Sequence, residues 1–403
     1  MSRAVLLVVY DIGSLAPTTI AARAAANDCE PVFVVAPSAH TDEVRPLLEM
    51  LGRVVPVGPS LESDLRELRP DGILTFSESQ IPRTVRLAAL LGLRCHSPED
   101  LPAMVDKTAQ RARLAAAGVD ALAHRPITTV DGIGPALDAV GLPCIVKPQV
   151  GASSRNTFLV TDPAAGHAAI AAVLSDEGVV VAEELLRGRP TDRPWGDYLA
   201  VDCVADGTDV RVHFVTGKFA LATPFRERAG YGPRPVEDAA TVAAASALAC
   251  RATAALGIRG LSHVEIKLTP DGPRVIEVNG RLGAWVGDLA ERSGCTPPAD
   301  LAIQVALGRP VEVKPPVADG PLVYQYLIIP PVTATTVREI GDIGPLTGID
   351  GVQQVKVLAR PGAYVGWETG TAGAVAMVSG TAPDPQALAA TVRRIEDADW
   401  IRY

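Results

Sequence analysis

The stretch that decides the reading is Ser262-His-Val-Glu-Ile-Lys-Leu268, followed by Thr269-Pro-Asp-Gly272 and Arg274-Val-Ile-Glu-Val-Asn279. Both arms alternate with the period of two that strands have. In the first arm Val264 and Ile266 share one face, and His263, Glu265 and Lys267 the other. In the second, Glu277 and Asn279 share one face, with Ile276 and Val278 opposite. Thr269–Gly272 has the composition of a turn. A hairpin centred on Asp271 sets Glu265 against Glu277, with Cβ atoms roughly 4.5–5.5 Å apart. Two facing carboxylates repel, so the pairing costs stability unless a cation lies between them. Asn279 adds an amide oxygen on the same side. Carboxylates plus an amide suit Mg²⁺ (or Mn²⁺). Arg281 follows, within reach of a phosphate or a developing negative charge. An ordinary solvated hairpin face is the alternative for either acid alone.

Before this hairpin, the first 95 residues alternate strand and helix signals. Ala4–Val9 is a continuous apolar run, as in a strand buried on both faces. Pro31–Ala36, Arg53–Val57 and Gly72–Phe76 are further short strands. Residues 14–27, 41–51, 61–69 and 80–92 suit the helices between them. The pattern predicts βαβ units and a doubly wound parallel sheet. Next come a helix at Asp106–Ala117, a strand at Leu142–Lys147, a Gly/Ser segment at Val150–Thr157 and a strand at Val179–Glu183. Residues 198–205, 210–216 and 218–223 read as antiparallel strands, and 236–256 as a long helix. A helix at about 298–307 and a linker at Pro310–Pro316 follow the hairpin. Residues 322–403 read as a small α+β appendage with one late helix at 385–397. The expected class is α/β plus α+β. The expected units are 1–97, 98–190, 191–315 and 316–403.

Composition narrows the function classes. The chain has 403 residues, enough for several units with a sizeable core. Its net charge is −9, and it has no basic run, which argues against a nucleic-acid partner. The six cysteines are scattered with no C-x-x-C pair, which reads as small buried hydrophobes in a reducing compartment. Asp11 ends the first apolar run too early for a signal peptide, and no stretch reads as membrane-spanning. The expectation is a cytoplasmic protein with small-molecule partners and no membrane partner. A dinucleotide fingerprint is also absent, since Asp11-Ile-Gly-Ser-Leu-Ala16 lacks the glycine spacing.

Several segments in order resemble the ATP-grasp superfamily. Glu265-Ile-Lys267, twelve residues ahead of Glu277-Val-Asn-Gly-Arg281, is similar to its metal-binding strands. Asp106-Lys107 resembles the lysine entry to the region. Ile145-Val-Lys147-Pro148 with Gly151-Ala-Ser-Ser-Arg-Asn-Thr157 resembles the nucleotide lysine and phosphate loop. Val181-Ala-Glu-Glu-Leu-Leu186 resembles the hinge that holds adenine, and Asp197 stands where a ribose-binding acid is usual. The form Glu277–Arg281 with Leu282-Gly283-Ala284, and the glycine-rich C-terminal segments, resemble L-amino-acid ligases and carnosine-synthase-like enzymes. Those usually carry Pro where Gly280 stands and often Gly where Ala284 stands.

The resemblance implies an ATP-grasp fold and a carboxylate–amine ligase using ATP and Mg²⁺. It assigns ATP contacts to Lys107, Lys147, Ser153, Ser154, Glu183, Glu184, Leu186 and Asp197. Metal binding falls to Glu265, Glu277 and Asn279, and catalysis to Arg281 and Glu277. Arg226, Glu227 and Arg228 form a mixed-charge loop suited to amino-acid substrates, and His213 is a further substrate candidate. A homodimer is compatible with the family. An ATP-grasp enzyme of another substrate class, such as a purine-pathway ligase or a bicarbonate-using carboxylase, stays open here. A nucleotide-binding module without chemistry is a further alternative.

Overall fold

A computed structural model describes residues 3–317 and 319–403. The N-terminal part forms a four-stranded parallel sheet from Ala4–Tyr10, Cys29–Val35, Arg53–Pro56 and Gly72–Leu74. The order is third, second, first, fourth, so the first strand is central. Its side chains divide between two cores. Leu6 and Val8 pack with Ile20 and Leu48 on one face, and Leu7 and Val9 pack with Leu65 and Leu87 on the other. Helices Pro17–Ala26 and Ala39–Leu51 therefore cover one face, and Leu61–Leu68 and Ile81–Leu91 the other. This is the doubly wound arrangement expected from a strand that is apolar at every position. The loops after the first and fourth strands are tied together. Ser14 N donates to Phe76 O at 3.0 Å, and Ser77 Oγ to Asp11 O at 2.6 Å.

A second, antiparallel sheet runs in the order His124–Ile127, Val180–Glu184, Cys144–Pro148, Phe158–Val160. Helices Ile133–Val140 and Pro163–Glu177 bury its one face through Ile133, Leu137, Ile170 and Leu174. Its other face carries Ile145, Lys147 and Glu183 toward a cleft.

An eight-stranded sheet closes the other side of the cleft. Its order is Gly272–Asn279, Gly260–Thr269, Trp195–Ala205, Val210–Phe219, Ala229–Gly232, Leu322–Ile328, Ala376–Ala382, Val352–Val357. The pairings within it are antiparallel. Helix Ala239–Ala255 packs on it through Ala245, Leu248, Ala249 and Ala252. Two expectations need correction. Residues 218–223 are not a separate strand, because the strand from Val210 runs on to Phe219. The C-terminal segment is not a detached appendage: three of its strands extend the large sheet, and Glu339–Ile340 pairs with Ile401–Arg402 in a two-stranded sheet within it. Ala229–Gly232 pairs with Leu322–Ile328 and joins it to the preceding strands. Helix Pro385–Asp397 falls where the sequence places it. Among the described residues no helix is long and apolar enough to cross a membrane.

The hairpin has one irregularity that matters. Thr269 pairs with Gly272, so the turn has two residues, Pro270 and Asp271. Strict counting from that turn would set Glu265 against Ile276. The register shifts between Glu265 and Ile266, and Ile276 is the extra residue. The bulge restores the pairs Glu265 with Glu277 and His263 with Asn279. It also changes one face assignment. Ile276 lines the cleft beside Glu277 instead of turning away from it.

Candidate active site

The cleft between the two antiparallel sheets encloses about 1420 Å³ of atom-free space, part of it open to solvent. Glu265, Glu277 and Asn279 line it together with Arg281. The two glutamates are not equivalent. Burial and the nearby Glu227 carboxylate push the Glu265 carboxyl above its usual range. Burial acts the same way on Glu277, but Lys107 and Lys147 outweigh it and hold that carboxyl down. Lys107 Nζ lies 3.1 Å from Glu277 Oε1 and donates to Gly151 O at 2.7 Å. Among the described residues no group of three or more His, Cys, Asp or Glu is arranged to hold a metal ion. Two carboxylates and one amide fit a hard cation only if phosphate oxygens or water complete the shell.

Arg281 is fixed from the N-terminal sheet. Its Nε lies 2.7 Å from Glu78 Oε2, and Nη1 donates to Leu282 O at 3.0 Å. Glu78 stands in the loop after the fourth parallel strand, so the two units meet at this ion pair.

A second charged group sits deeper. Lys147 Nζ is 2.9 Å from Glu183 Oε2, and Arg111 Nη2 is 3.0 Å from the same oxygen. Arg111 also donates to Val275 O and Ile276 O, at 2.8 and 2.6 Å. Burial alone would raise the Glu183 carboxyl, but Lys147 and Arg111 outweigh it and hold it at about 2. Glu183 is therefore an anchor for two cations and has little left for an adenine amine. Glu184 and Leu186 do line the cleft. Leu186, Leu122, Ile145 and Ile276 make an apolar slot of the kind that takes a flat ring.

Ser153, Ser154 and Thr157 line the cleft from the loop between the strands at 144–148 and 158–160. Ser153, Ser154 and Asn156 have φ of 61, 54 and 51°. Three of the four residues 153–156 thus lie in the left-handed region, a turn geometry that can gather backbone N–H groups around an anion.

Other candidates are not brought to the cleft. Arg226 is buried and donates to Thr223 O and Pro330 O, at 2.6 and 2.9 Å through Nη2. Its Nε and Nη2 bonds go to backbone carbonyls, and Nη1 is buried without a hydrogen-bond partner among the described residues. Arg228 faces the C-terminal helix and sheet, with Nη1 donating to Tyr326 Oη at 2.8 Å and lying 3.6 Å from Glu396. His213 is buried, and its Nε2 lies 2.8 Å from Thr296 O. These three lie outside the cleft lining. Asp197 is not in the lining either. It is ion-paired to Lys267 at 2.6 Å, and Lys267 faces the cleft. Glu227 alone of the mixed-charge loop points in, held by the buried Lys218.

Several lining residues escape sequence reasoning. Arg111, Ile276, Trp285 and Thr371 carry no motif signal of their own, whereas Lys267 lines the cleft on the face that strand alternation gives it. His263 also lines the cleft, its Nδ1 3.0 Å from Asp202 Oδ1. A Cβ on Gly283 would meet that ring at 2.2 Å, so the glycine leaves room for the histidine.

Comparison with known proteins relates the chain to a family and to solved folds. The model of the ATP-grasp domain matches residues 134–285. Alanine–anticapsin ligase from Bacillus subtilis (strain 168) is 26% identical over 268 residues, which is 61% of this chain and 54% of that protein. The chain thus spans about half the length of the curated relatives it matches. The crystal structure of L-amino acid ligase from Bacillus licheniformis superimposes with a TM-score of 0.76 at 21% identity, covering 100% of this chain and 99% of that one. N5-carboxyaminoimidazole ribonucleotide synthetase from Thermus thermophilus gives 0.69 at 18% identity, covering 97% of both chains. Residues 134–285 thus match the ATP-grasp domain, and the chain as a whole has the ATP-grasp fold.

Proposed function

We propose that the chain is an ATP-dependent, ADP-forming ligase that activates a carboxylate, an amino acid, as an acyl phosphate and couples it to an amine. The observation that carries the reading is the pair Glu265–Glu277 on one wall of the cleft, facing Lys107 and Lys147. The similarity to alanine–anticapsin ligase supports an amino acid as the acid and a second one as the amine. Glu227 and Arg281 offer both charges in the same cleft, which suits substrates carrying an ammonium and a carboxylate. The fold is shared with N5-carboxyaminoimidazole ribonucleotide synthetase and does not choose the acid by itself.

On this reading the apolar slot takes adenine. Lys107, Lys147 and the loop at 151–157 take the phosphates. Glu265, Glu277 and Asn279 would hold Mg²⁺, which would supply charge neutralisation for the phosphates. The substrate carboxylate attacks the γ-phosphorus and ADP leaves. The amine then attacks the acyl carbon and phosphate leaves. Arg281, steadied by Glu78, stabilises the transferring phosphoryl group and the tetrahedral centre.

The test is a phosphate-release screen over pairs of amino acids with mass detection of products. Release that depends on both amino acids, with an amide product, is expected. Turnover that needs bicarbonate and no amino acid would overturn the reading.

A further inference from the structure

Residues 366–373 of the C-terminal part lie against the phosphate loop, and the reaction above gives them no task. Thr371 N donates to Ser153 O at 2.8 Å, and Asn156 N donates to Glu368 O at 3.1 Å. The Trp367 ring meets Phe158 edge-on, with centroids 6.1 Å apart. Gly370 has φ of 64°, and a Cβ there would lie 2.1 Å from Ser153 O and 2.7 Å from Arg155 N. The loop thus presses on a position that only glycine fills without displacement. On its other side Thr371 Oγ1 accepts from Glu227 N at 2.9 Å.

These contacts share a logic. Three non-glycine residues of the loop hold positive φ. Such conformations persist where the surroundings over-determine them. Here the surroundings are a segment more than two hundred residues later in the chain. That segment also holds the backbone of Glu227, which lines the same cleft.

We propose that Gly370-Thr371 is a positioning element of the active site. It holds the phosphate loop in its phosphate-facing shape and ties that shape to Glu227. What the tie serves rests on the ligase reading; the tie itself does not. A loop already held in shape loses less freedom when a nucleotide binds, so affinity is gained without a new contact.

The test uses the full chain. Hydrogen–deuterium exchange over residues 151–157 is measured without nucleotide, and MgADP affinity is measured by calorimetry. Gly370→Ala is expected to speed exchange across the loop and weaken MgADP by about tenfold. Trp367→Leu removes the contact with Phe158 and leaves the turn intact. It serves as second variant should Gly370→Ala not fold, and exchange must rise in it also. Thr371→Val removes only the acceptor for Glu227 N. Where turnover is found, it should raise the KM of one amino-acid substrate by about fivefold with kcat less changed, and Thr371→Ser should recover most of the loss. Wild-type exchange and MgADP affinity in folded Gly370→Ala or Trp367→Leu would overturn the proposal. Unchanged substrate KM in Thr371→Val would overturn the link to Glu227. Failure of the wild-type chain to bind MgADP would count against the ligase reading, while the exchange data still decide the tie.

Discussion

Two charged clusters stand within one cleft and are built on opposite principles. In the deeper one, Glu183 meets Lys147 and Arg111, and Arg111 spends its other donors on Val275 O and Ile276 O. Each charge there has a partner. In the outer one, Glu265 faces Glu277 across the hairpin with Glu227 nearby, and Glu265 is pushed toward its neutral form. There Lys107 pairs with Glu277 and Lys218 with Glu227, while Glu265 has His263 Nε2 at 3.9 Å. On the proposed reading the difference separates a brace from a receptor: a cation would complete the outer cluster, and the inner one is complete already.

The largest effect should come from the receptor. Glu277→Gln keeps the side-chain volume and removes the charge. It should lower ATP turnover by roughly 10³-fold, the several kcal/mol that a bound metal contributes to a transition state. The variant should still fold, with a lower melting temperature than wild type, because the change also removes the partner of Lys107. Near-normal ADP release by this variant would remove the outer cluster from the chemistry.

The brace should answer in the reverse way. Glu183→Gln leaves two buried cations without their counter-charge. A loss of about 3–5 kcal/mol of stability is expected. Denaturant unfolding would measure it. If Glu183→Gln melted like wild type and lost only turnover, the comparison would fail.

The same residue gives a pH signature. Its carboxyl is lowered from 4.5 to about 2 by Lys147 and Arg111 against the effect of burial. A lowered folded-state pKa means stability that is fully present above pH 4.5 and is lost as pH falls toward 2. Roughly 3 kcal/mol should disappear over that window. The contribution should be missing from the acid limb of Glu183→Gln. An acid limb unchanged between the two proteins would show that another carboxylate controls it.

The two clusters also differ in how much of them the sequence declares. Glu265, Glu277 and Asn279 are legible because strand alternation and a turn signal fix their faces. Even there Ile276 is misplaced, since a bulge is a property of the pairing and leaves no mark in composition. Arg111 is silent, one basic residue on a helix, and acquires its meaning from Glu183, seventy-two residues away. Arg226 and His213 mislead for the opposite reason. A charged or titratable side chain in a loop or strand reads as available, but carbonyls of Thr223, Pro330 and Thr296 take these two up. The parallel sheet is legible because apolar runs alternate with helices locally. The union of the C-terminal strands with the large sheet is not, because it depends on pairing Ala229–Gly232 with Leu322–Ile328. Local pattern cannot encode a partner so remote.

The smallest predicted effect concerns a pair between these extremes. Asp197 is bonded to Lys267, with side-chain exposures of 28% and 15%, so it is neither buried like the brace nor unbalanced like the receptor. Its position resembles that of a ribose ligand, yet its carboxylate is engaged and lies behind Lys267. Both roles are compatible if the carboxylate holds the lysine with one oxygen and keeps the other for a hydroxyl. Asp197→Asn should then cost at most about 1 kcal/mol of stability, as a partly exposed pair does. It should also raise the KM for ATP by about fivefold, the equivalent of one hydrogen bond. The KM for 2′-deoxy-ATP separates the cases. If Asp197 accepts from the 2′-hydroxyl, the wild type prefers ATP and Asp197→Asn loses that preference. If the variant discriminates as the wild type does, Asp197 only anchors Lys267, and the lysine is the group that meets the nucleotide.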